Sequence, residues 1–163
     1  MSARHPGRPR VPAGTVERLV QLLSAGDFDS EESRRLTDTL GPLSLVLRAV
    51  ERITRAQRIE AWRDVRAAVA AAPRNGLVHA LASRLLYELA DFGHALEAAG
   101  TAWNLGVVSA GMLRYHQARS IGCFDEACAA LEDVLRSKLS RPSTDLADHV
   151  VDFALDRLLA LYF

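Results

Sequence analysis

The chain has 163 residues, 49% hydrophobic and 25% charged, which is enough for one domain with a real core. Lysine plus arginine equals aspartate plus glutamate at 20 each, so the basic surplus of a generic nucleic-acid binder is missing. No apolar run reaches about 18 residues and no apolar stretch follows Arg4, Arg8 and Arg10. This argues against a membrane span and a secretory leader, and leaves the cytoplasm as the expected location.

Residues 1–13, with Pro6, Gly7, Pro9 and Pro12, read as a disordered basic tail, and residues 14–163 as a single helical domain. Thr15 can cap a helix that runs to about Ala25 and is closed by Gly26. Asp29 or Ser30, followed by Glu31 and Glu32, starts a second that ends near Gly41 and Pro42. A third runs from about Leu43 to Ala56, with Leu43, Val46, Leu47, Val50 and Ile53 on one side. A fourth covers about Ile59 to Ala72 and stops at Pro73. Four more follow, from about Leu77 to Leu89, Phe92 to Leu105, Val108 to Ile121 and Phe124 to Lys138. Pro142 breaks the chain, and Ser143 or Thr144 caps a last helix over residues 143–163. No β-branched alternating segment argues for a strand, so the expected class is all-α.

The helices carry an internal period. Ala61 and Ala95 are 34 residues apart and Ala95 and Ala127 are 32 apart, each in the first turn of its helix. Each is followed seven positions on by a small or β-branched residue: Ala68, Ala102 and Val134. Such a period marks helical hairpins that bury their apolar faces only by stacking on neighbours. These blocks resemble the tetratricopeptide (TPR) family. Residues 42–75 place Ala49, Ala61, Ala68 and Pro73 at the family's small and proline positions. Residues 76–109 supply Ser83, Phe92, Ala95 and Ala102. A shortened unit, 108–141, keeps Gly122, Phe124, Ala127 and Val134 but has Tyr115 where a small residue is usual, and residues 12–41 form a degenerate copy. The resemblance implies a TPR-like α-solenoid of antiparallel helix pairs with a C-terminal capping helix. A generic antiparallel bundle with alanine-rich seams fits the same composition.

In that family the first helix of each pair lines a concave groove. Carried over by position, the groove comprises Leu43, Val46, Val50 and Ile53, then Leu77, Arg84, Tyr87 and Glu88, then Met112, His116 and Arg119. It is apolar at one end and mixed at the other, which suits an amphipathic helix or extended peptide with charged anchors. The N-terminal helices could instead fold over Leu43, Val46 and Val50. The lysine and asparagine clamp with which some family members grip a peptide terminus is missing.

Other clusters have plainer readings. Arg48, Arg52, Arg55 and Arg58 fall on one helical face, either a patch for an acidic partner or a solvated face. Asp145, Asp148, Asp152 and Asp156 make an acidic stripe. The same helix bears Val151, Leu155, Leu158, Leu159, Tyr162 and Phe163, more apolar surface than one neighbour covers, which suggests a capping role and a homodimer contact. Cys123 and Cys128 read as reduced structural thiols, and the histidines stand singly. With no phosphate loop, nucleophile elbow or metal motif, neither catalysis nor a cofactor or metal is expected. The expectation is an adaptor or chaperone that holds a partner helix, similar in organisation to the small TPR chaperones of bacterial secretion systems. Two alternatives stay open. One is a repeat module of a bacterial regulator. The other is a helical enzyme or small-ligand binder using Arg84, Tyr87, His116 and Arg119.

Overall fold

The computed structural model describes Pro12 and residues 14–140 of the chain. The basic tail, the capping helix at 143–163 and its residues Val151, Leu155, Leu158, Leu159, Tyr162 and Phe163 lie outside the described residues. Within them the chain is all helical: α1 (Thr15–Ala25), α2 (Glu31–Leu40), α3 (Pro42–Thr54), α4 (Arg58–Ala71), α5 (Gly76–Glu88), α6 (Phe92–Asn104), α7 (Ser109–Ser120) and α8 (Phe124–Ser140).

Local chemistry sets the helix ends. Ser30 caps α2 by accepting from the Ser33 backbone N–H at 3.1 Å, which selects it over Asp29. Asn75 caps α5, its side-chain oxygen accepting from the N–H groups of Leu77 at 3.1 Å and Val78 at 3.3 Å. Thr15 is not a cap: it is the first residue of α1, behind Gly14, and its hydroxyl donates to the Pro12 carbonyl at 2.6 Å. Pro42 opens α3, where its missing N–H costs nothing.

One turn closes the first helix of every pair, and it recurs at the end of α6, where the Val107 N–H reaches the Ala102 carbonyl at 3.0 Å behind Gly106 with φ 87°. The N–H of Asp27, Gln57, Asp91 and Cys123 each reaches back to the carbonyl of Leu22, Arg52, Leu86 and Ala118 at 2.9 Å. The residue before each donor has a positive φ: Gly26 at 86°, Ala56 at 59°, Ala90 at 65° and Gly122 at 80°. This is the Schellman closure of a helix, and it joins α1 to α2, α3 to α4, α5 to α6 and α7 to α8. The left-handed residues are spaced 30, 34 and 32 apart, so the sequence period is also a backbone period.

Packing follows the same rule. Each helix packs on its hairpin partner, and the first helices of successive pairs pack on one another: α1 on α3, α3 on α5, α5 on α7. The backbones of the second helices, α2, α4, α6 and α8, stay apart among the described residues and meet only through side chains, as Trp103 of α6 does in the α7–α8 cluster. The seams are built from small side chains. Ala49, Ala61, Ala68, Ser83, Ala95, Ala102 and Ala127 are all fully buried, and a larger residue at any of them would force neighbouring helices apart. One cluster spans α3 to α6 around Val65, Val78 and Leu86. A second joins α7 and α8 around Tyr115 and Leu131, and a third holds α1 and α2 through Leu19, Leu23, Phe28 and Leu36.

The third unit solves its seam differently. Tyr115, standing where a small residue is usual, is fully buried against α8. The close approach is made one turn earlier, at Gly111, where a Cβ would lie 2.6 Å from Val134 Cγ2 and 2.7 Å from Trp103 Cζ3. Arg114 clips α7 to α8, its Nε 2.6 Å from Glu126 and its Nη1 3.1 Å from Asp133.

Candidate partner-binding face

Among the described residues, the first helices leave a stripe largely uncovered. Helix α5 is flanked by α3 and α7 and backed by α4 and α6, and its only exposed residues are Leu77, Leu81, Arg84 and Glu88. Their spacing of 4, 3 and 4 is a straight row on a helix. Shifted back by 34 residues the row becomes Leu43, Leu47, Val50 and Thr54 of α3; shifted forward by 32 it becomes Ser109, Leu113, His116 and Ser120 of α7. Leu43, Val50, Thr54, Ser109, His116 and Ser120 are exposed, and Leu47 and Leu113 half-buried. Three parallel rows therefore make one face. It is aliphatic on α3, half aliphatic and half charged on α5, and mostly polar on α7.

The residues expected to line a groove distribute as follows. Leu43, Val50, Leu77, Arg84, Glu88 and His116 stand on these rows, and Arg119 is exposed beside Ser120. Val46 does not belong: at 4% exposure it packs among Ala61, Val65 and Val78, pointing to the second layer. Ile53 and Tyr87 are half-buried against the same core, and Met112 packs into the α7–α8 cluster. The places of Val46 and its counterparts are taken by Leu47, Leu81 and Leu113, one residue later. One residue turns a side chain by about 100° on a helix, which separates core from surface.

The N-terminal hairpin covers the aliphatic end only in part: Leu47 packs against the α1–α2 cluster of Leu19, Leu23, Phe28 and Leu36. Helix α1 packs beside α3, and Leu43 and Val50 remain 38% and 40% exposed. Two contacts hold α5 and α7 in register. Ser83 Oγ donates to Gln117 Oε1 at 3.0 Å while Gln117 Nε2 donates to the Ser83 carbonyl at 3.2 Å, both buried. At the charged end Ser120 Oγ donates to the Gln117 carbonyl, so the Tyr87 hydroxyl is the donor in its 2.5 Å contact with Ser120 Oγ. Arg84 pairs with Glu88 at 3.7 Å across one turn, both exposed.

The arginine column is divided: Arg48 and Arg52 are largely buried, whereas Arg55 and Arg58 are exposed. Arg48 Nε and Arg52 Nη1 converge on Asp64 Oδ2 at 3.5 and 3.2 Å, all three side chains being largely buried between α3 and α4. Burial raises the Asp64 carboxyl above its usual range, and the two guanidiniums only partly offset this. Arg52 and Arg55 lie over the Phe28 ring at 5.1 and 5.8 Å, and Arg55 also donates to the Ser24 carbonyl. Arg58 donates to the Glu88 carbonyl at 3.0 Å. The column thus fastens the α1–α2 hairpin, α3, α4 and the end of α5 to each other.

Cys123 and Cys128 are free thiols. Among the described residues, no cluster of three or more His, Cys, Asp or Glu side chains is placed to hold a metal ion, and no helix is long and apolar enough to cross a membrane. Compared with known proteins, the chain matches no family model, and no curated protein is similar to it.

Proposed function

We propose that the chain is a non-catalytic interaction module, a TPR-like α-solenoid that holds an amphipathic helix or short peptide of another protein across the rows of α3, α5 and α7. The observation that carries this reading is the exposed stripe itself: Leu43, Val50, Leu77 and Leu81 lie in aligned rows although ample core positions exist for aliphatic residues. Leu77 alone is 52% exposed. The recurrent closure and the stacking of first helices on first helices support the solenoid arrangement. Neighbouring helices pack about 8–10 Å apart, so three rows span about 20 Å, the length of a helix of about 13–15 residues at ~1.5 Å per residue. A partner helix with aliphatic residues at one end and charges at the other would match the gradient from Val50 to Arg84, Glu88 and Arg119.

The test compares complexes formed by the wild-type protein and by Val50→Asp and Leu81→Asp in native purification from the source cell. The reading requires a stoichiometric partner that each substitution releases while circular dichroism stays unchanged. A partner retained by both variants would place its contact elsewhere and overturn the assignment.

A further inference from the structure

A recess lies on the edge formed by the α3–α4 and α5–α6 turns, next to the Glu88 end of the α5 row. It is lined by Arg58, Ile59, Trp62 and Leu89 and encloses about 270 Å³. Its walls are apolar and unusually open: Ile59 is 66% exposed and Trp62 is 36% exposed, both on the first turns of α4. The indole is held in place before anything binds. Its Nε1–H donates to Asp91 Oδ2 at 2.7 Å, and Arg66 lies over the ring at 5.5 Å. Asp91 is itself occupied, since His94 Nδ1 contacts both of its oxygens at 2.8 and 2.9 Å. Arg58, at the rim, donates to a backbone carbonyl, and no carboxylate among the described residues pairs with it.

The volume is below the range of about 300–1,000 Å³ that receives a whole small-molecule ligand, so it suits one side chain and its flank. A rigid indole, two aliphatic walls and an unpaired guanidinium are the groups that anchor partner side chains at interface centres. We propose that this recess takes one bulky apolar side chain of a partner polypeptide, with an acidic side chain next to it in sequence meeting Arg58. The carboxylate follows from charge complementarity: Arg58 offers the rim's uncommitted cation, while Asp91 and Glu88 are already paired. This anchor does not depend on the rows of α3, α5 and α7, and either can fail without the other.

The experiment uses the full chain labelled with nitrogen-15 and follows the two indole N–H signals, Trp62 in the recess and Trp103 in the α6–α8 packing as the internal reference. The probes are acetyl-glutamyl-phenylalanine amide and its glutaminyl counterpart. The glutamyl peptide should shift the Trp62 signal saturably and bind about threefold to fivefold tighter than the neutral one, the scale of a partly exposed ion pair. Arg58→Gln should erase that difference, and Ile59→Asp, at an exposed position that leaves the core intact, should weaken both peptides at least tenfold. A Trp62 signal that does not move at millimolar peptide would overturn the proposal. So would Trp103 moving in parallel, or the two peptides binding equally to the wild-type protein.

Discussion

Gly111 tests the close approach that sets the third hairpin. A methyl group there would stand 2.6 Å from Val134 Cγ2 and 2.7 and 2.9 Å from Trp103 Cζ3 and Cε3, inside contact distance for carbon. Val134 is fully buried and Trp103 is packed in the same cluster, so neither side chain has free space to retreat into. Overpacking of this kind costs about 1–3 kcal/mol. Replacing glycine by alanine inside a helix also returns about 0.8–1 kcal/mol of propensity. Gly100, in the middle of α6, isolates that second contribution, because a Cβ placed on it meets no atom within 4 Å. Gly100→Ala should therefore raise stability by about 1 kcal/mol. Gly111→Ala should lower it by roughly 1 kcal/mol after its propensity gain is counted. In a chain of 163 residues each kilocalorie moves Tm by about 2–4 °C, so the two variants should move it in opposite directions. Differential scanning calorimetry at one protein concentration reads this directly. If both substitutions raise Tm alike, α7 does not approach α6 and α8 as described.

Three further outcomes follow from buried or strained groups. Asp64→Ala should cost about 3–5 kcal/mol in urea unfolding, because it leaves Arg48 and Arg52 buried without their carboxylate, whereas replacing all three by Met, Met and Leu should recover most of the loss. Ala56→Gly and Ala90→Gly should each stabilise by about 1 kcal/mol in the same unfolding assay by relieving a left-handed alanine, and because Arg58 ties the two turns through the Glu88 carbonyl the double variant reads their coupling. Partial burial works against ionisation of Asp91, but hydrogen bonds from Trp62 and His94 outweigh it and hold the carboxyl below its usual value. Its folded pKa is depressed, so its contribution is present above the unfolded value of about 3.9 and fades as the pH falls through the folded one. Asp91→Asn should accordingly flatten the acid limb of a Tm-against-pH curve below about pH 4–5, and an unaltered limb would show that the Trp62 and His94 contacts add nothing.

The helices were legible because several local signals agree on them. Apolar periodicity, Gly26, Ser30, Pro42 and Pro73 each mark a start or stop that the backbone also observes within two residues. The alanine seams were legible for a stronger reason: Ala61 and Ala68 recur 34 residues on as Ala95 and Ala102, and all four are fully buried. Gly111 escaped notice because a glycine inside a helix carries no periodic mark. Its role depends on Trp103 and Val134, which are 8 and 23 positions away. Asp64 escaped for a similar reason. Arg48 and Arg52 form a regular charged column whose buried partner sits on the next helix, and spacing along one helix says nothing about the helix packed against it.

The face itself shows where sequence periodicity ends. An apolar stripe on α3 that includes Leu43, Val46, Leu47, Val50 and Ile53 is wider than one core face needs, because it spans both the side packed on α4 and α5 and the exposed side. Residues at Val46, Ala49 and Ile53 turn toward α4 and α5, Leu47 packs against the α1–α2 cluster, and Leu43 and Val50 turn outward. Nothing in hydrophobicity separates the two sets, and the division appears only when α5 is aligned beneath α3. There the inner set continues as Ala80, Ser83 and Tyr87, and the outer set as Leu77, Leu81 and Arg84. From α3 to α5 the outer set changes from aliphatic to partly charged and on α7 it is Ser109, Leu113 and His116, while the inner set is small or apolar on α3 and α5 and ends on α7 at the exposed Arg119. Which neighbour each residue meets, and not its hydrophobicity, therefore decides the set to which it belongs.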